Sequence, residues 1–223
     1  TLGVSGANEA KRVQKEYMQN HRLNIPTLLM ADIIHGFRTI FPIPLALGST
    51  WDEAAVEKMA EISAKEAAVS GLHVTFSPMV DLVRDPRWGR VMESTGEDPL
   101  LNSRLAAAMV RGYQGENLKE DNWRVAACVK HFAAYGGALA GRDYNTVDMS
   151  ERQLREMYLP GYKAGLDAGA KLVMTSFNTV DGIPATGNQW LFRDVLRNEF
   201  GFEGVVISDW GAIKELIPHG VAK

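Results

Sequence analysis

The sequence predicts an α/β fold, a (β/α)8 TIM-type barrel that is incomplete within this chain. Three observations predict it. First, five short apolar runs, at 28–31, 73–77, 125–129, 172–176 and 204–208, alternate with amphipathic helical stretches. Such runs read as strands buried on both faces, which pair in parallel through right-handed helical crossovers. Second, polar residues collect where the runs end: Asp32, Lys130, His131, Asn178 and Asp209. Open α/β sheets and barrels both place their chemistry at that end. Third, no G-x-G-x-x-G fingerprint follows any run, which disfavours a dinucleotide-binding sheet. A closed barrel needs eight strands and typically about 250 residues. The 223 residues are therefore expected to form one partial barrel domain, 1–223, of a larger protein.

The elements follow in order. Residues 8–20 form a helix with Ala10, Val13 and Tyr17 on one face. The run Leu28–Ala31 delivers Asp32. Thr50-x-x-Glu53 reads as a capping box, and Val56, Met59, Ala60, Ala64 and Ala67 form the inner stripe of the helix it opens, which Gly71 stops. The strand at 73–77 leads into a long loop, 78–98. Asp98-Pro99 caps and starts the next helix, with proline at its first position and Leu101, Leu105, Ala108 and Met109 inward. Val125–Val129 runs into Lys130-His131-Phe132, and a second loop spans 135–148. Its Gly136-Gly-Ala-Leu-Ala-Gly141 spacing resembles a phosphate loop but lacks the lysine and hydroxyl residue that such a loop needs. Ser150 with Gln153 forms a second capping box. Pro160 interrupts that helix and starts another. Asn188 caps a helix that Gly201 ends, and the last strand delivers Asp209.

Composition excludes several classes. The chain is 46% hydrophobic and 23% charged with a net charge of −3, unlike a disordered chain. No block of like charges offers a nucleic-acid or polybasic membrane surface. No apolar stretch approaches the roughly 20 residues that span a bilayer. The single cysteine, Cys128, forms no internal disulfide and sits in an apolar run, as a packed small hydrophobe does. The chain opens on Thr1, so the compartment, whether cytoplasmic, periplasmic or secreted, is left open.

Asp209 leads the candidates for chemistry. A carboxylate at a barrel mouth beside an indole, Trp210, suits sugar chemistry: the indole packs on a pyranose C–H face and the carboxylate attacks an anomeric carbon. The plainer role for such a residue is a turn or helix cap. Asp32 can accept two sugar hydroxyls. With His35 it also offers two metal ligands, and His131 as the only obvious third leaves the set too small for a site. Lys130 and His131 are consecutive, and neighbouring strand residues point to opposite faces. Either the backbone leaves regular β geometry there, or one side chain faces inward and the other is solvated. The 78–98 loop is either a surface loop held by ion pairs or the carrier of one arginine that reaches the mouth. Met174 and Phe177 are core residues or flank the site.

The ordered set Asp32-x-x-His-Gly, Asp85-Pro-Arg-Trp-Gly-Arg90, Glu93-x-x-Gly-Glu-Asp98, Lys130-His131-Phe and Val206-Ile-Ser-Asp209 resembles the N-terminal barrel domain of glycoside hydrolase family 3, nearest to bacterial β-glucosidases of the periplasmic type. Phe132-Ala-Ala-Tyr-Gly, the segment Tyr144–Ser150, the segment Tyr162–Gly169 and Gly211-Ala-Ile-Lys-Glu-Leu216 strengthen the match, which covers essentially the whole chain. The resemblance implies an exo-acting, retaining β-glucosidase without cofactor or metal, acting on β-glucosides or short β-gluco-oligosaccharides. A β-xylosidase, a β-N-acetylhexosaminidase or a non-catalytic sugar-binding barrel are the alternatives. It implies Asp209 as nucleophile, with Asp32, Arg90, Lys130 and His131 holding sugar hydroxyls, Met174 packing on the sugar and Trp210 at the leaving-group side. It also implies an acid/base glutamate in a following domain, for which no residue here is a match, and a fold completed by the rest of the enzyme or by another chain. Many relatives have tyrosine where Phe177 stands, so a hydroxyl beside the nucleophile is missing. The hexosaminidase branch carries an Asp-x-His element that 133–148 lacks.

Overall fold

The computed structural model describes residues 1–223. Seven strands form: β1 Met30–Ala31, β2 Val74–Thr75, β3 Ala126–Phe132, β4 Leu172–Thr175, β5 Thr179–Val180, β6 Ile183–Pro184 and β7 Val205–Ile207. The five expected strands make one parallel sheet in the order β1-β2-β3-β4-β7, with the register Met30↔Val74, Val74↔Ala126, Cys128↔Leu172 and Leu172↔Val205. Neighbours in sequence are neighbours in space, as in a singly wound barrel. β5 and β6 form an antiparallel hairpin outside the sequence reading. Its turn is Asp181-Gly182, both at positive φ, which is the residue pair a tight hairpin favours.

Helices fill the crossovers: α1 Ala7–Asn20, α2 Pro44–Gly48, α3 Glu53–Val69, α4 Pro99–Gln114, and α5 Glu151–Gln153 running through Leu154–Tyr158 into α6 Leu159–Asp167. A further helix covers Trp190–Glu199 and a short one Ala212–Glu215. Asp98 caps α4 by accepting from Leu101 N at 2.7 Å, and Ser150 caps α5 by accepting from Gln153 N at 3.2 Å. Asn188 Oδ1 accepts from Leu191 N at 3.2 Å at the start of the Trp190–Glu199 helix. Pro160 stands in the first turn of α6, as expected of a helix start, but the chain does not leave the helical path there. The run stays helical, and the turn just before it widens over Leu154–Tyr158.

Three local expectations are corrected. Asp52, not Thr50, caps α3 and accepts from Ala55 N at 3.0 Å. The unforeseen α2 ends just before Thr50, whose hydroxyl donates to Leu47 O at 2.7 Å and so belongs to the exit of α2. Tyr17 lies outside the packed face of α1 and stacks on His21, with ring centroids 4.8 Å apart. The 78–98 segment is a surface loop only in part: Met79, Val80, Asp81, Leu82 and Val83 are buried, while Arg84, Arg87, Met92, Glu97 and Asp98 are exposed. A side chain at Gly136 would collide with the Leu82 carbonyl, so this glycine allows the 135–148 loop to close against that segment.

Alternation along the strands produces two cores. Val129 and Val173 face the helices with Ala60, Ala64, Leu105 and Met109. Val74, Phe76, Cys128, Leu172 and Met174 face the other way, with Met30, Ala126 and Ile207 packed against them. Cys128 is thus a buried small residue in the concave layer, and burial pushes its thiol pKa up. β1 and β7 are the sheet edges. No helix is long and apolar enough to cross a membrane.

Candidate active site

The two-residue period that builds the concave layer also aims the site. Asp32 lies two past Met30, Lys130 two past Cys128 and Asp209 two past Ile207, so all three continue the same face where the strands end. The Lys130 ammonium donates to Asp32 Oδ1 at 2.6 Å. Lys130 itself is buried, while the Asp32 side chain is 61% exposed.

Regular alternation would turn His131 toward the helices. Instead the register between β3 and β4 shifts between Val129 and Phe132, and the peptide bonds Lys130–His131 and Phe132–Ala133 are cis. Both side chains of the pair reach the same cavity. The cavity measures about 390 Å³, and all seven residues nominated from the sequence line it: Asp32, Arg90, Lys130, His131, Met174, Asp209 and Trp210. Arg90 comes from the 78–98 segment, where Glu93 holds its guanidinium in two hydrogen bonds of 2.7 and 2.9 Å. Burial disfavours the Arg90 charge, but the Glu93 carboxylate outweighs it and the pKa moves up. Arg90 also lies over the Tyr135 ring, 5.6 Å from its centroid. Trp210 is 79% exposed at the rim.

The Asp209 carboxylate has two unlike oxygens. Oδ1 accepts from the Trp210 backbone N–H at 2.6 Å, while Oδ2 is buried and accepts no hydrogen bond. Oδ2 faces His131 Nε2 at 3.4 Å. On the far side of the ring, His131 Nδ1 lies 2.7 Å from Asp81 Oδ2, which also accepts from the His131 backbone N–H at 3.0 Å. Burial pushes the His131 pKa down, against the opposing pull of Asp81. Asp81 was not among the sequence candidates. Its one signal was a single charge inside the apolar run Met79-Val-Asp-Leu-Val83.

The remaining candidates are placed elsewhere. His35 lies in an adjoining groove that shares Asp32, and its Nδ1 pairs with Phe41 O at 2.9 Å. Phe177 packs among Met79, Trp88 and Tyr135 and stacks on Tyr144 at 4.3 Å. Asn178 is buried behind the site and donates to Ala133 O at 3.2 Å.

Residues 4–223 match the glycosyl hydrolase family 3 N-terminal domain. The chain belongs to that family. Within family 3 it is 50% identical over 214 residues to a periplasmic β-glucosidase of Salmonella typhimurium, a match covering 96% of this chain and 28% of that protein. It is 39% identical over 202 residues to a β-xylosidase of Formosa agariphila, covering 85% and 28% of the two chains. A β-glucosidase of Listeria innocua, solved with isofagomine and with glucose, superposes with a TM-score of 0.97 at 63% identity, over 99% of this chain and 31% of that one. The chain therefore spans under a third of the length of these relatives, and it matches the barrel-forming part of the family.

Proposed function

We propose that the chain forms the sugar-binding, nucleophile-bearing part of an exo-acting retaining β-glucosidase that removes terminal non-reducing β-D-glucosyl residues through a covalent glycosyl-aspartate intermediate. The observation that carries this reading is Asp209, which lines a sugar-sized hollow with one oxygen pinned by a backbone N–H and the other buried, without a hydrogen bond, 3.4 Å from His131 Nε2. A fixed carboxylate with one unencumbered oxygen suits attack on an anomeric carbon. Lys130 and Arg90 donate to sugar hydroxyls and offset the negative charge at the floor. Asp32 accepts from hydroxyls through its exposed oxygen. His131 meets a further hydroxyl, Met174 packs on the ring and Trp210 borders the leaving group. The relatives named β-glucosidase, one of them solved with glucose and in a mutant form with laminaribiose, support a β-glucoside as substrate.

Retention requires a second carboxyl group about 5–5.5 Å from the nucleophile, kept protonated for the first step. Asp32 is the other carboxyl-bearing residue lining the cavity. It is bound to the Lys130 ammonium and does not suit that task. The resemblance to two-domain family 3 glucosidases implies that the acid/base comes from a following domain of the parent enzyme. Soluble export to the periplasm, as in the Salmonella relative, fits the same reading.

The test is Asp209→Asn in the full-length parent with an activated aryl β-glucoside. The expected result is no burst and no glucosyl adduct by mass spectrometry; near-normal burst kinetics overturn the assignment. A panel of aryl β-xylosides and N-acetylglucosaminides separates glucosidase from the related activities. The 223-residue chain alone, without an acid, is expected to turn over cellobiose at a negligible rate.

A further inference from the structure

His131 is the residue of the site most heavily constrained from behind. Asp81 is fully buried, and no lysine or arginine is within ion-pair distance of it. Its Oδ2 receives both the ring and the backbone N–H of His131, at 2.7 and 3.0 Å. Its Oδ1 lies 2.7 Å from the Tyr162 hydroxyl. That hydroxyl also lies 2.6 Å from the His131 carbonyl and accepts from Ala134 N at 3.1 Å. Burial, reinforced by the Asp81 charge, keeps the Tyr162 pKa well above the ordinary value, so the phenol retains the one proton it shares between these acceptors. Ser94 Oγ donates to Asp81 O at 2.7 Å and anchors the segment. The clamp thus takes in the ring, the amide and the carbonyl of a single residue.

A carboxylate sealed from water is expensive to keep, and an apolar side chain of similar volume serves packing as well or better. What an apolar side chain lacks is the ability to select a tautomer. A carboxylate is acceptor-only, so the nitrogen facing it carries the proton and the other ring nitrogen turns a lone pair to its surroundings. Here that other nitrogen is Nε2, on a ring that lines the cavity; it lies 3.4 Å from Asp209 Oδ2 but makes no hydrogen bond with it, whereas Nδ1 pairs with Asp81 at 2.7 Å, so the closer carboxylate decides the tautomer. Lys130, next door, offers only donors.

We propose that Asp81, backed by Tyr162, is a positioning residue that fixes His131 as an Nδ1–H imidazole whose Nε2 accepts a hydrogen bond from a hydroxyl of the bound sugar. The proposal rests on the glycosidase reading above and adds to it a donor–acceptor code: Lys130 gives and His131 receives. A hydroxyl placed between them is satisfied in both roles.

The experiment is a double-mutant cycle in the full-length parent enzyme with an aryl β-glucoside. Asp81→Asn is expected to lower kcat/KM by up to about 100-fold, the effect of a misaimed site group. Tyr162→Phe is expected to lower it about fivefold, the size of one net hydrogen bond. In a His131→Ala background neither change costs anything further, because both act through that ring. Losses that multiply with that of His131→Ala mark a merely structural role and overturn the proposal. So does Asp81→Asn activity within twofold of the native enzyme. Should Asp81→Asn fail to fold, the Tyr162→Phe cycle and the ¹⁵N spectrum of the histidine rings decide: a His131 ring protonated on Nδ1 supports the assignment, and one protonated on Nε2 overturns it. The Asp209→Asn burst experiment stands apart. Its failure removes the glycosidase reading, whereas an Asp209-dependent enzyme indifferent to Asp81→Asn removes only the positioning role.

Discussion

Lys130 and His131 are consecutive, and each is paired with one aspartate at nearly the same distance, 2.6 and 2.7 Å. Their surroundings are opposite. The partner of Lys130, Asp32, stands mostly in water, while the partner of His131, Asp81, is sealed. On the open side, Asp32 keeps its water, and under the proposed function it exchanges that water for sugar hydroxyls at little cost with a geometry free to adapt. On the sealed side nothing is exchanged, and the pair holds one geometry before any ligand arrives. One step of the chain therefore combines an adaptable grip with a fixed one. Pre-organisation is concentrated on the residue that faces the bare oxygen of Asp209 at 3.4 Å.

The largest expected effect breaks that asymmetry. Asp81→Ala strips the partner from two buried groups, the His131 ring and the Tyr162 hydroxyl, with no route for water to replace it. Removing one member of a buried pair costs about 3–5 kcal/mol. Lys130→Met deletes the buried charge itself and leaves Asp32 free to be solvated, so its expected cost is below about 1 kcal/mol. Both variants lose activity on an aryl β-glucoside, but only Asp81→Ala lowers the unfolding midpoint of the barrel domain substantially. Equal shifts in the two midpoints contradict the open-versus-sealed distinction.

Much of this arrangement was legible in the sequence, for a reason that also explains what was not. Asp32, Lys130 and Asp209 obey the local rule of two-residue alternation at the end of a buried run, so reading the run places the side chain. His131 violates the rule because the register shifts beneath it; adjacency showed the problem but not its solution. Asp81 was invisible as a site residue because its partners lie 50 and 81 positions away. A lone aspartate among Met79, Val80, Leu82 and Val83 is a signal only when something distant is known to need it. The α3 cap failed differently. Thr50 and Asp52 are both competent caps two residues apart, and the unforeseen helix α2 took the first. The β5–β6 hairpin carries its Asp-Gly signal openly, but strands of two residues are too short to show any alternation in the sequence.

A middle-sized effect sharpens the sealed side through pH. Burial pushes the His131 pKa below the ordinary imidazole value of 6.5. The unfolded chain then takes up a proton near pH 6.5 that the folded chain refuses until the pH is lower. Stability from this group is complete above about 6.5 and declines as the pH falls toward the folded value, by at most about 1.4 kcal/mol per pH unit. His73 adds in the same direction. Burial lowers its pKa too, and its Nδ1 accepts from Leu29 N at 3.0 Å. The paired carboxylates Glu61, Glu66 and Glu199, all with lowered pKa, lose their contribution only at more acid pH, below the ordinary value of 4.5. The urea midpoint of the domain between pH 7.5 and 5 is expected to fall less steeply in His131→Gln than in the native protein. Parallel slopes exclude a buried neutral ring.

The smallest expected effect on stability extends the open side. Trp210 lines the cavity yet is 79% exposed, so its ring buries little apolar area that folding could use. Surface substitutions away from caps, pairs and special backbone stay within about 0.5 kcal/mol, and Trp210→Ala is expected to leave the unfolding midpoint inside that margin. The Trp210 backbone N–H that fixes Asp209 Oδ1 survives the substitution, so nucleophile geometry is kept. The side chain instead supplies a flat face at the rim, which the proposed function puts at the leaving-group side. Its removal is therefore expected to raise KM for glucosides with an extended aglycone several-fold while leaving the deglycosylation rate, measured after the aglycone has departed, unchanged. A fall in deglycosylation equal to the rise in KM places the indole over the bound glucosyl unit rather than beyond it, and moves the boundary between the fixed and adaptable parts of the site outward past Asp209.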